Sequence, residues 1–386
     1  MKSSKAGLYV HFPFCRRKCP YCHFYSIPVE PAVDRSRIGL WREGILAEAG
    51  RVASGPGFET GGSSLEFETL YIGGGTPSLA APDDIARLRD DLADRLPLWP
   101  VEFTLEANPS DGANDDVFRG WIRAGVTRLS VGAQSFDDGV LRILGRSSTA
   151  ARTEAFLRRA RDAGVASLGV DLMAGIPGET PCSWDRTIEA VRTLRPDHVS
   201  LYFLENVEGL PFERTLRANP VDDDAAVDAF ERAAGAFSSL GLRRYEISNF
   251  ARPGRECLHN LKYWRYEPFL GLGPSAASHL GAKRWTNIAD FGKWREGAAG
   301  SVPAAETVNL DPDTAAREAL AAGLRLVEGI DLESFAGRFG FDPADRFRPE
   351  IAGLEDEGLI VLSGRVLRIP ENKLLISNSI LSRLLR

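Results

Sequence analysis

Residues 8 to 24 read LYVHFPFCRRKCPYCHF. Leu8 to Phe12 is a β-branched and aromatic run of strand length, and it passes directly into a loop carrying Cys15, Cys19 and Cys22. This is the first of a series of similar units. Short apolar runs follow at Thr69 to Ile72, Val101 to Leu105, Arg128 to Val131, Ser167 to Met173 and His198 to Phe203. Between them lie helical patterns at Arg35 to Val52, Asp83 to Leu96, Asp115 to Ala124, Thr149 to Ala163 and Ser183 to Leu194. Alternation of strand and helix predicts an α/β fold with a parallel sheet. A unit of about 30 residues repeated roughly six times fits a partial (β/α)6 barrel better than a complete eight-unit one. An open, doubly wound sheet is the competing architecture.

Beyond the last of these strands, a helical stretch from Asp222 to Leu240 leads to a strand-like Arg244 to Ile247 and then to aromatic-rich loops. Gly55 to Ser64 has turn composition and is expected to be a mobile surface insertion. From about Glu306 the character changes. Helical patterns at Thr314 to Val327, Leu332 to Phe339 and Arg348 to Glu357 precede GLIVLSGRVLRIPE, two alternating strands around Ser363 and Gly364. The expected division is therefore a barrel over 1–240, an aromatic-rich segment packed on it over 241–305, and a small winged-helix-like α+β domain over 306–386. That last domain carries 10 basic and 14 acidic side chains, 10 − 14 = −4, which argues against DNA. It reads as a packing unit or a substrate-covering lid.

The 386 residues hold 47 Lys and Arg against 53 Asp and Glu, a net charge of −6, with no block of basic residues to follow a phosphate backbone. Nucleic acid is excluded as a primary partner. No run approaches the roughly 20 apolar residues of a membrane span, and the N-terminus shows no secretory apolar region. Three of the five cysteines crowd into eight residues while Cys182 and Cys257 stand apart, which is no disulfide framework. A reducing compartment, hence the cytoplasm, is the expectation.

The C-x3-C-x2-C spacing can place three thiolates on three irons of a 4Fe-4S cube and leave the fourth iron open to a small ligand. Zinc is the alternative, with His11 or His23 as fourth ligand, but the usual two-residue gap is missing at the first step. Gly73-Gly74-Gly75-Thr76-Pro77-Ser78 follows the second strand and allows close approach of backbone to a polar ligand. Glu106 ends the third strand, Gln134 follows the fourth and Asp171 lies on the fifth. Such positions converge at the carboxyl end of a (β/α) barrel.

The stretch YVHFPFCRRKCPYCHF resembles the radical S-adenosylmethionine (SAM) enzymes, in the branch that holds oxygen-independent coproporphyrinogen III oxidase and the HemW-type haem chaperones. The resemblance implies a partial barrel, a 4Fe-4S cluster on Cys15, Cys19 and Cys22, and SAM on its open iron. It also implies SAM contacts from Tyr9, Tyr21, Gly74, Gly75, Thr76, Glu106, Gln134, Arg146 and Asp171. At Arg146 the match is poorer, because the family often has His where this chain has Ser147.

Two differences favour the chaperone branch: Phe24 stands where the oxidase carries an additional cysteine, and only 14 residues precede Cys15. His259, Asn260, Tyr263 and Trp264 match HNxxYW, a motif associated with haem binding in that branch. A neutral imidazole can ligate haem iron while nearby aromatic rings cover the macrocycle. Cys257 is read as a half-buried neutral thiol, and Cys182 is given no role. The resemblance implies delivery of haem to respiratory haem proteins at the cytoplasmic face of the membrane, with peripheral membrane contact and a homodimer on loading. A coproporphyrinogen oxidase and a radical enzyme acting on haem itself remain the alternatives.

Overall fold

The six expected strands are β1 (Ser4–Phe12), β2 (Ser63–Gly74), β3 (Leu98–Ala107), β4 (Arg128–Gln134), β5 (Ser167–Ala174) and β6 (His198–Phe203). They lie side by side in chain order and are parallel throughout. A doubly wound sheet reverses its order part-way; here every crossover steps the same way, which places the connecting helices on one face and selects the partial barrel. The computed structural model describes residues 4–29, 34–55, 59–60, 63–300 and 303–385. The mobility expected of Gly55 to Ser64 falls partly outside them, although Glu59–Thr60 pairs antiparallel with Ser63 and Ser64.

The connecting helices are α1 (Arg35–Ser54), α2 (Pro82–Ala93), α3 (Asp115–Arg123), α4 (Asp138–Ile143), α5 (Ala150–Asp162) and α6 (Pro181–Leu194). Side-chain caps start several of them: Asp34 accepts from Ser36, Asn114 from Val117, and Thr180 forms a capping box with Ser183. Each strand shows two chemical faces. Leu8, Val10, Leu70, Ile72, Phe103, Leu105, Leu129 and Val131 are fully buried in the main apolar core. The alternate positions, among them Tyr71, Glu106, Ser130, Asp171 and Ser200, line the lumen.

The sheet continues past both ends of the barrel. After α7 (Asp223–Ser239), β7 (Arg243–Arg244) and β8 (Asn249–Ala251) extend it antiparallel beyond β6, so the predicted strand at Arg244 to Ile247 is shorter than expected. On the other side β9 (Phe269–Leu272) pairs parallel with β1 and leads to β10 (Ala277–Leu280), β11 (Lys283–Asn287) and β12 (Ala304–Asn309). The segment 241–305 thus supplies strands to the sheet as well as packing on it. Glu48 of α1 anchors this extension, accepting from Gly273 N at 2.9 Å, Asn287 Nδ2 at 2.6 Å and Trp294 Nε1 at 2.9 Å.

The C-terminal part has its own core around Leu320, Leu332, Ile351, Leu367 and Leu381. Helices α9 (Pro312–Gly323), α10 (Leu332–Phe339) and α11 (Arg348–Asp356) precede the hairpin of β14 (Val361–Ser363) and β15 (Val366–Arg368), with β13 (Ile330–Asp331) on its far side. The domain touches both outer flanks of the barrel sheet. Val327 N donates to Tyr245 O at 3.0 Å, while Glu318 accepts from Tyr266 at 2.8 Å and from Arg284. Among the described residues it lines no part of the lumen. No helix among the described residues is long and apolar enough to cross a membrane.

Candidate functional site

The cysteine loop is held at three points. Ile27 N donates to Pro13 O and Val29 N to Cys15 O, closing residues 15–28 into a hoop beside β1. Phe212 N donates to Pro20 O at 3.2 Å, and the Tyr21 ring meets Phe212 edge-on. Gly75 N donates to Phe12 O and Thr76 N to Phe14 O, which locks the glycine loop against the strand end. Only glycine fits there: a Cβ on Gly75 would lie 2.5 Å from the Phe14 carbonyl oxygen. Gly74 adopts φ +112, and its Cβ would strike the His11 ring.

Two neighbours donate to the sulfurs. Thr76 Oγ1 lies 3.2 Å from Cys15 Sγ, and Arg146 Nη1 lies 3.8 Å from Cys19 Sγ. Burial pushes the Cys15 and Cys22 thiols up, so a bound metal has to draw off their protons. Among the described residues no three His, Cys, Asp or Glu side chains converge closely enough to hold one metal ion. Cys15, Cys19 and Cys22 all line one cavity, and three thiols on one loop suit a cube, in which each iron takes its own sulfur.

Below the loop a cavity of about 490 Å³ runs down the lumen to Cys257 and Asn260. It is lined by Tyr21, Gly74, Gly75, Thr76, Glu106, Gln134, Arg146 and Asp171, which brings together every expected SAM residue except Tyr9. Tyr9 sits deeper, its hydroxyl 3.1 Å from His11 Nδ1 and its ring 6.0 Å from that of Tyr71. Glu106 accepts from Tyr71 OH at 2.8 Å and from Gly74 N at 2.9 Å; burial nevertheless raises its carboxyl to about 7. Asp171 is also raised by burial and accepts from Ser130. Gln134 takes φ 68 at a β-bulge, strain of the kind that collects at binding sites. Arg146 is more occupied than expected. It donates to Gly132 O, to Asn108 Oδ1 and toward Cys19, and only its Nε is buried without a partner.

The HNxxYW residues occupy the other end. Helix α8 (Leu258–Trp264) closes the floor of the barrel, and Glu102 of β3 caps it by accepting from Leu258 N at 3.1 Å and His259 N at 3.0 Å. His259 is 1% exposed. Its Nδ1 pairs with Thr69 Oγ1 and its Nε2 with Tyr263 OH, each at 2.8 Å, and burial beside Lys262 lowers the ring to about 3. Asn260 alone of the four lines the cavity. Trp264 is half-buried at the helix end facing the C-terminal domain. Cys257 is fully buried, its thiol pushed up to about 12 by burial, and Cys182 is exposed.

Sequence reasoning passed over Thr69, Tyr71, Glu102, Arg128, Ser130, His198 and Ser200, all of them facing the lumen or its floor. Their signal was present. Strands of a parallel sheet are usually apolar on both faces, and polar residues at alternate positions of β2 to β6 mark an interior built for a ligand.

The Radical SAM superfamily pattern matches residues 9–191, and the HemN C-terminal domain pattern matches residues 310–375. A heme chaperone HemW of Mycobacterium tuberculosis (strain CDC 1551 / Oshkosh) is 33% identical over 375 residues, 95% of this chain and 93% of that protein. The mitochondrial radical S-adenosyl methionine domain-containing protein 1 of Bos taurus is 32% identical, over 99% of this chain and 88% of its own length. Among solved structures, coproporphyrinogen III oxidase (HemN) from Escherichia coli superimposes with a TM-score of 0.84 over 99% of this chain and 90% of its own, at 22% identity. That likeness establishes the shared fold. With the cysteine hoop, the glycine loop, Glu106 and Asp171 in one cavity, and with near-full-length relatives at this identity, the chain belongs to the radical SAM superfamily, in its HemW-like branch.

Proposed function

We propose that this protein is a haem chaperone that binds haem and passes it to respiratory haem proteins, with a 4Fe-4S cluster and SAM held in the barrel. The carrying observation is the complete cavity: Cys15, Cys19 and Cys22 at its mouth open onto Gly74, Glu106 and Asp171. The same chain has Phe24, 56% exposed, where the oxidase carries a further cysteine. Its HemW-named relatives support the chaperone reading over coproporphyrinogen oxidation.

The membership implies both cofactors, and the residues fit them. Cys15, Cys19 and Cys22 would hold three irons of the cluster, with Thr76 donating to the Cys15 sulfur and Arg146 to that of Cys19. Glu106, its carboxylate held by the Gly74 N–H, would accept from the SAM amino group, and Gln134 and Asp171 would serve its remaining polar atoms. When bound, the cluster supplies the electron that can cleave the SAM sulfonium. Haem ligation by His259 requires α8 to leave the barrel floor, because both of its ring nitrogens are engaged.

The test is an anaerobic haem titration of cluster-loaded protein followed by transfer to a haem-free respiratory acceptor. Saturation near one haem per chain, with transfer, supports the reading. Weak, unsaturable binding overturns it, and protoporphyrinogen formed from coproporphyrinogen only with SAM and reductant would install the oxidase in its place.

A further inference from the structure

Resting on that reading, we propose that His23 is the axial ligand of haem iron and that the rim of the cavity beside it is the haem seat. The chain has five histidines. Four are buried: His11, His198, His259 and His279. His11 is held through Tyr9 and Tyr25, His198 through Tyr245, and His259 through Thr69 and Tyr263. His279 lies beneath Tyr266, ring centroids 4.4 Å apart. His23 alone stands exposed, at the mouth of the cavity.

Its surroundings suit a metalloporphyrin. The Glu205 carboxylate lies 4.0 Å from Nδ1. Glu205 stands on the Nδ1 side of the ring, and Nε2, on the other side, is left for a metal. Nε2 has no protein partner among the described residues. The Phe24 ring lies against the imidazole, centroids 4.7 Å apart at 31°, and its exposed surface offers an apolar face to a macrocycle. Arg17 and Lys18, exposed on the same rim, supply two cations in a chain whose net charge is −6. Two propionates have partners there. On binding, one coordinate bond forms from Nε2 to the iron, and the water or hydroxide that the iron carried in solution leaves.

The test compares ferric haem titrations of the native protein, His23→Ala and His23→Met, all cluster-loaded with iron and sulfide measured, since His23 adjoins Cys22. Metal-free protoporphyrin IX is the control for the seat without the iron bond. The expected result is haem affinity weakened about tenfold or more in His23→Ala, recovered by added imidazole, with metal-free porphyrin bound equally by both. His23→Met should retain haem with the altered spectrum of a thioether ligand. Saturable native binding with unchanged affinity and spectrum in both variants would overturn the His23 assignment while leaving the chaperone reading in place. Absence of saturable binding by the native protein would overturn both. Should His23→Ala lose its cluster, the imidazole signature of haem-loaded native protein, present or replaced in His23→Met, decides the question.

Discussion

Nδ1 of His259 lies 2.8 Å from the hydroxyl of Thr69, joining the floor helix to the second strand of the barrel across 190 residues of chain. With Nε2 on Tyr263, the imidazole acts here as an internal cross-brace. His259→Ala removes it, leaves two buried hydroxyls unpartnered and opens a void, at a cost of about 2–4 kcal/mol in chemical denaturation. An unchanged midpoint would show that the ring braces nothing.

The same ring sets an acid-side pH dependence. Its value falls from 6.5 to about 3 on burial, so the folded state favours the neutral form. The stability this contributes is complete above about pH 6.5 and is lost as the pH falls toward 3. His259→Gln should flatten that limb of the stability profile relative to the native chain.

Glu102 gathers three donors at the start of α8: Leu258 N, His259 N and Cys257 Sγ. Glu102→Ala should cost about 2–4 kcal/mol, since three donors lose their acceptor at once. Amide hydrogen exchange should accelerate at Leu258 and His259 first. Uniform acceleration along the whole chain would argue against a local cap.

Gly75→Ala places a methyl group against the Phe14 carbonyl, in the hoop that carries Cys15. Iron and sulfide retained after anaerobic reconstitution should fall sharply. Gly39→Ala is the control: nothing lies within 4 Å of the added carbon, and in helix α1 it should stabilise by about 0.5–1 kcal/mol. Equal cluster content in the two variants would dissociate the glycine loop from the cluster.

Burial raises the Glu106 carboxyl to about 7, and only its ionised form attracts an ammonium group. SAM affinity of cluster-loaded protein should therefore rise between pH 6 and 8. Glu106→Gln should bind about tenfold more weakly and lose that dependence in calorimetric titration. A native profile flat over this interval would remove Glu106 from the amino-group site.

The six strands, their order of appearance and the cysteine loop were legible because their signals are local. An apolar run and three cysteines in eight residues each act within a few positions of the chain. The glycine loop was legible for the same reason. The extension of the sheet beyond β1 was not, since Phe269 meets Gly7 only after the chain has run around the barrel. Nor could the winged-helix-like pattern say where its domain sits; that rests on Tyr245, Tyr266 and Arg284, which come from the two opposite flanks of the sheet.

By itself the sequence determined which side chains are available: three thiols for a cluster, acidic and glycine residues at strand ends, five histidines and an aromatic-rich segment. Tertiary structure alone decided which of them meet a ligand. His259 and His23 are both imidazoles beside aromatic residues, yet folding encloses one among Thr69, Tyr263 and Lys262 and leaves the other at the rim of the cavity. The physical reason is that desolvation and hydrogen-bond saturation depend on groups brought together from distant parts of the chain, and local sequence carries no record of which groups those will be.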